Sequence, residues 1–272
     1  MVVVVRGLRL FWHSLWQLFG NLPAALMISA LPAALMVGLL YALNLEFLLV
    51  PENLNRALAR GLLPCGRLAV FVFAAQAAFC WIAVGWHRFV LMEEPHGRGI
   101  PPFHLAPSLR YCLAALLLSL LVLLPLSVPI GILSGIYAAI SKHISSVPGA
   151  LILSLIFIVP SLLLQTIMLR AGVYLPGLAL GRPERMSLGW NATRLQLMPL
   201  FVLLALLTFV FVLLSLSAKL SASFYPARPL GAVWAIMLLW FQTMLGLSVV
   251  TTLYGRYIQN RPLRGEPPLP QG

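Results

Sequence analysis

The chain is short of charge. Of its 272 residues only 9% are charged and 61% are hydrophobic, whereas a soluble protein carries about 25% charged residues. Acid is the scarcest: there are six Glu and no Asp, and among 18 Lys and Arg only Lys142 and Lys219 are lysine. This excludes a soluble globular domain, a disordered chain and a water-soluble enzyme, because a chain of this length has too much exterior to hide so much apolar surface. Cysteine is equally sparse. Cys65, Cys80 and Cys112 are widely spaced with no CxxC, which excludes a disulfide framework and a zinc finger. Strand-period alternation is missing, which argues against a membrane barrel. So are Walker, GxSxG and HExxH motifs and an intramembrane protease pair. No catalytic residue, cofactor or metal is therefore expected, and the protein is read as a non-enzyme.

What the chain does have is long apolar runs. A spanning helix needs about 20 residues at 1.5 Å each. Six uncharged runs meet this: 22–43, 68–86, 111–133, 147–169, 195–218 and 231–254. Pro32, Pro125, Pro129 and Pro160 fall inside them and predict bends, which membrane helices accept when neighbours satisfy the freed carbonyls. The start of the chain does not read as a leader, since Met1–Val5 is apolar ahead of the first Arg. Residues 6–21 read instead as an interfacial amphipathic helix. On a 100° wheel Leu8, Phe11, Trp12, Leu15, Trp16, Leu18 and Phe19 share one half, and Arg6, Arg9, His13, Ser14, Gln17 and Asn21 the other, with Leu10 the exception.

The net charge of +12 would point to nucleic acid in a soluble protein. Here no basic stripe interleaves with aromatics, and none is predicted to bind. Membrane proteins collect Lys and Arg on cytoplasmic loops instead. Twelve of these residues fall on the side of both termini and six on the other, so both termini are expected in the cytoplasm. Arg-rich, Lys-poor usage with abundant Ala, Gly, Pro and Leu suggests a GC-rich bacterial genome, hence a bacterial inner membrane. The segment 259–272, with four prolines after Arg261 and no apolar period, predicts a disordered cytoplasmic tail after a single membrane domain over 1–258.

A loose threefold repeat overlies the spans. Each even-numbered span exits through an Arg beside aromatics: Trp86-His87-Arg88-Phe89, Arg170-Ala171-Gly172-Val173-Tyr174 and Tyr254-Gly255-Arg256-Tyr257. These Arg residues lie 82 and 86 positions apart. The reading is three parallel hairpins of about 85 residues, each preceded by an interfacial helix. Each returning span also holds one glutamine: Gln76, Gln165 and Gln242. Intramembrane Gln commonly bonds a neighbouring helix and could otherwise line a polar path. Arg88, Arg170 and Arg256 are either interfacial anchors or contacts for an anionic lipid headgroup.

Two segments carry a family resemblance: Trp86-His87-Arg88-Phe89-Val90-Leu91-Met92-Glu93-Glu94, and Leu175-Pro176-Gly177-Leu178-Ala179-Leu180-Gly181 followed by Met186-Ser187-Leu188-Gly189-Trp190-Asn191-Ala192-Thr193. They resemble a group of uncharacterised bacterial six-helix inner-membrane proteins, itself similar to the membrane domain fused to some glycerophosphodiester phosphodiesterases. The resemblance implies the fold; the soluble phosphodiesterase domain is absent here, so it implies no activity. The most polar loop holds His87, Arg88, Glu93, Glu94, His96, Arg98 and His104. Its spacing fits no metal motif, and a solvated loop with Glu–Arg pairs explains it. Neither His87 nor His143 has a partner visible in the sequence. The expected function is an integral inner-membrane protein that interacts with lipids or membrane partners. The alternative is a small transporter or channel subunit for an uncharged or amphipathic substrate. Nothing in the sequence sets an oligomeric state.

Overall fold

A computed structural model describes residues 2–49, 64–95, 101–141, 147–224 and 228–266. Among these the regular structure is entirely helical, with no strand. Helix α1 covers Val2–Gly20, α2 Leu22–Ala42, α3 Cys65–Met92, α4 Leu105–Ser141 and α5 Val147–Gly172. Two short helices follow, α6 at Leu175–Ala179 and α7 at Met186–Ala192. The long helices α8 (Leu197–Phe224) and α9 (Arg228–Tyr257) complete the bundle. Helices α2 and α5 continue through Pro32 and Pro160.

Five helical stretches are long and apolar enough to cross a membrane: Leu22–Ala42, Cys65–Met92, Ile158–Ala179, Leu197–Ser217 and Val233–Tyr257. This makes the chain a multi-pass helical membrane protein. The expected third span, 111–133, falls within α4. The outer surface matches this reading. Phe73, Leu121, Phe209 and Leu239 stand exposed on helices whose apolar residues run all the way round, as lipid-facing helices do. A water-soluble monomer rarely exposes contiguous apolar area of this extent.

Helices α3 and α9 run up the middle, with Trp86, Met244, Leu245, Leu253 and Tyr254 fully buried between them and their neighbours. Helix α1 lies lengthwise in the groove between α8 and α9. Ser14 meets Thr252 and Phe19 meets Phe241, so α1 runs antiparallel to the second half of α9. At its start α1 presses on α8 through Gly7: a Cβ there would lie 2.7 Å from Val202 Cβ and 2.8 Å from the Pro199 carbonyl oxygen.

This packing changes the expected reading of 6–21. Leu10, the residue that broke the wheel, is buried at 1% exposure, and Ser14 and Gln17 from the expected polar face are buried beside it. Trp12, at 64% exposure, and Leu8, Trp16 and Phe19 face outward. The side of α1 that carries Gly7, Leu10, Ser14, Gln17 and Leu18 therefore faces protein, and its aromatic side faces the surroundings. In lipid, apolar bulk gains nothing by turning inward, so small residues and hydrogen bonds select the buried face.

The helix order gives α1 before the pair α2–α3 and α7 before the pair α8–α9. The middle pair differs, because α4 is one unbroken helix of 37 residues with no separate helix before it among the described residues. The tail also differs from expectation. Residues 259–266 are packed onto the bundle with Leu263 buried, while 267–272 lie outside the described residues. Polar contacts replace the missing apolar period in holding this strap, as described below.

The close approach at Gly7 has a measurable consequence. Gly7→Leu should lower thermal stability in detergent by about 1–3 kcal/mol, the usual cost of overpacking. Gly38→Leu, where an added Cβ meets nothing within 4 Å, should leave the unfolding temperature nearly unchanged.

Candidate functional site

Polar side chains gather at one end of the bundle, where α3, α5 and α9 finish and where α6, α7 and the strap 259–266 close over them. The innermost is His87, fully buried on α3. Its Nδ1 lies 2.8 Å from Thr251 Oγ1 on α9, and its Nε2 lies 3.3 Å from the Tyr111 hydroxyl on α4. Thr251 donates its own proton to the Leu247 carbonyl at 2.7 Å, so it can only accept from the ring. A ring that donates from Nδ1 to Thr251 and accepts the Tyr111 proton on Nε2 satisfies all three groups. A residue with no visible partner in the sequence joins three helices.

A second cluster continues along α9. Thr252 donates to Gln17 Oε1 at 3.2 Å, and Ser14 Oγ lies 3.1 Å from Thr252 and 2.9 Å from the Leu10 carbonyl oxygen. Ser248 returns its proton to the Met244 carbonyl. Ser248, Thr251 and Thr252 thus form a hydroxyl stripe on an apolar helix, bonded to α3 on one side and α1 on the other. Three hydroxyl residues within five positions of an apolar run was the available signal for this seam.

The three exit arginines are all engaged within the chain. Arg88 Nε pairs with Glu94 at 2.6 Å, and its Nη1 donates to the Ala179 carbonyl at 3.2 Å. Glu94 also holds His104 Nε2 at 3.0 Å. Arg170, only 8% exposed, donates to Thr193 Oγ1 and the Trp190 carbonyl and stacks 4.1 Å from the Trp190 ring. Gly189 permits this, since a Cβ there would crowd the α5 end at Tyr174 N and Val173 Cβ. Arg256 pairs with Glu266 at 2.9 Å. No protein group is shared by any two of these arginines among the described residues. Each ties a helix end to a segment packed against it, Arg88 reaching α6 as well as Glu94.

The strap is held by the same chemistry. Arg261 donates to the Val90 and Leu91 carbonyls at the end of α3, supplying partners that the last helical turn lacks. There Glu93 takes a left-handed φ of 56° and ends the helix. Arg264 stacks 3.7 Å from the Trp16 ring, and its backbone N–H donates to His13 Nδ1 at 3.0 Å. Glu266 reaches Arg9 as well as Arg256. Beneath α6, Tyr254 donates to Glu184 at 2.7 Å. Gly177 leaves room for that carboxylate, which a Cβ would strike.

The three glutamines do not form a shared site. Gln76 donates to Cys80 Sγ one turn away at 3.6 Å. Gln165 is exposed in an open groove of about 450 Å³ between α5 and α8, together with Thr208 and Ser215. Gln242 is half-buried on α9. No described contact joins them. Of the polar loop, Glu94 and His104 bind as stated, and His96 and Arg98 lie outside the described residues. No group of three metal-capable side chains occurs among the described residues. Neither protein-family models nor curated proteins nor solved structures give a match to this chain.

Two consequences follow from this geometry. Arg170→Gln removes a stacked guanidinium and two donated bonds, and should cost roughly 1–3 kcal/mol of stability, read as a lowered unfolding temperature. His13 is held below its ordinary value of 6.5, first by burial and then by Arg264, with Glu266 opposing. Its neutral form is the one that accepts the Arg264 N–H. As pH falls below 6.5 the unfolded chain takes up a proton that the folded ring resists, so the strap loses stability as pH falls. Corrected for the intrinsic slowing of amide exchange as pH falls, the protection of 259–266 should therefore drop between neutral and mildly acidic pH. His13→Phe should abolish that drop.

Proposed function

We propose that this chain is a six-span inner-membrane protein with both termini in the cytoplasm that binds lipids or membrane partners and performs no catalysis. The observation that carries this reading is the outward face of α1: Ser14 and Gln17 pack inward beside Leu10 and Leu18, while Trp12, Trp16, Phe19 and Leu8 turn outward. Aromatic side chains of that kind favour the membrane interface. The non-catalytic part of the reading is supported by how the reactive side chains are used. His87, Glu94 and His104 each bond groups of the chain itself. The spans are then α2–α3, α4–α5 and α8–α9, three parallel hairpins. The family resemblance fits this architecture. Because Arg88, Arg170 and Arg256 are occupied, they act as structural anchors, and lipid contact moves to other arginines and to the aromatic face.

A second reading, a small transporter or channel subunit for an uncharged or amphipathic substrate, is favoured by one observation, the Gln165 groove with its two hydroxyls. Gln165→Leu would abolish substrate movement under that reading and leave lipid binding intact.

Extraction in a mild detergent, followed by phospholipid analysis, tests the main reading. The purified protein should carry tightly held phospholipid, and Trp12→Ser with Trp16→Ser should reduce the amount at least severalfold. Protein free of phospholipid after gentle extraction would refute it. A reporter fused after Gly272 should be active in the cytoplasm; activity on the opposite side would overturn the orientation.

A further inference from the structure

A cavity of about 270 Å³ lies between the first turns of α1 and the corner joining α7 to α8, lined by Val3, Arg6, Arg194, Leu195, Gln196 and Pro199 among others. It differs from the rest of the polar end in one respect. The ion pairs among the described residues use Glu94 and Glu266, and these serve Arg88, His104, Arg9 and Arg256. Arg6 and Arg194 both face the cavity, and none of those pairs compensates their charge. Both are exposed. Gln196 accepts the Tyr257 hydroxyl on Oε1 at 3.4 Å, which leaves its amide nitrogen as a donor. The rim is apolar: Leu195 is 88% exposed, and Val3 and Met198 are also bare.

We propose that this cavity binds the phosphate group of an anionic phospholipid. This rests on the lipid-binding reading above and names where and by what chemistry it occurs. Two guanidiniums present planar forks of N–H donors that match phosphate oxygens. The volume admits a headgroup but not acyl chains, which would lie over Leu195, Met198 and the outward face of α1. A soluble phosphate would have no use for that apolar rim, and a zwitterionic headgroup would bring a cation against two arginines. Position agrees with chemistry, because α1 brings Trp12 and Trp16, residues suited to headgroup depth, onto the same helix as Arg6.

The test uses the full chain in nanodiscs of mixed phosphatidylcholine and phosphatidylglycerol, with bound lipid identified by native mass spectrometry. The wild type should retain phosphatidylglycerol in preference to phosphatidylcholine. Arg6→Gln with Arg194→Gln should cut that preference by about fivefold for each charge removed. Lysine at both positions should restore most of it, which separates lost charge from misfolding. Arg185→Gln, which removes one charge outside the cavity, should leave it unchanged. If the double Gln variant keeps the wild-type preference, the site is wrong while the lipid reading stands. A wild type without any preference would overturn both. Displacement of the lipid by inorganic phosphate alone would overturn the lipid as the source and assign the cavity to a soluble phosphate.

Discussion

A polar group inside a membrane bundle has no water to turn to, so the chain itself must satisfy it. The rest of this structure depends on that constraint. His87 meets it with Thr251 and Tyr111, which draws α3, α9 and α4 to one point. Thr252 meets it with Gln17 and Ser14, which seats α1 in its groove. Apolar surface could not do this work alone, because lipid tails receive a leucine as readily as another helix does. Each such bond contributes only about 1 kcal/mol, yet it has direction, so a short stripe of hydroxyls can define how three helices meet.

The same logic divides the arginines into two groups. Those at helix exits are drawn inward by local acceptors: Glu94 and Ala179 for Arg88, Thr193 and Trp190 for Arg170, Glu266 for Arg256. With so few acids in the chain, these pairings leave other arginines without a counter-charge. Arg6 and Arg194 take part in none of the ion pairs among the described residues. Scarcity of acid is thus an organising feature: the carboxylates present select which arginines are drawn onto the bundle.

Much of the helical frame was legible because apolar run length maps directly onto span length. The runs at 68–86 and 231–254 fall within observed helices, and the run at 22–43 exceeds α2 by one residue. The faces of those helices were harder to read. The wheel for 6–21 sorted residues by polarity, which assumes that water lies on one side. It therefore placed Ser14 and Gln17 outward and treated Leu10 as an anomaly, when the three share the buried face. His87 shows no partner in the sequence because its partners are 24 and 164 positions away in the chain, and no local pattern reports such pairings. The strap escaped notice for a related reason. It lacks an apolar period and is held by Arg261, Arg264 and Glu266, whose contacts lie on α3, α1 and α9. The spacing of the three glutamines and of the three exit arginines was visible, but regular spacing along the chain did not bring either set together in space.

The central claim is that the interior is held by a dry, internally satisfied polar seam with His87 at its middle. Nitrogen-15 NMR of histidine-labelled protein in bilayers at neutral pH tests this most directly, with His87 assigned by its loss in a His87→Asn variant. The account predicts a neutral ring protonated on Nδ1, with that proton slow to exchange with solvent. A charged ring, a proton on Nε2, or rapid exchange with water would contradict it.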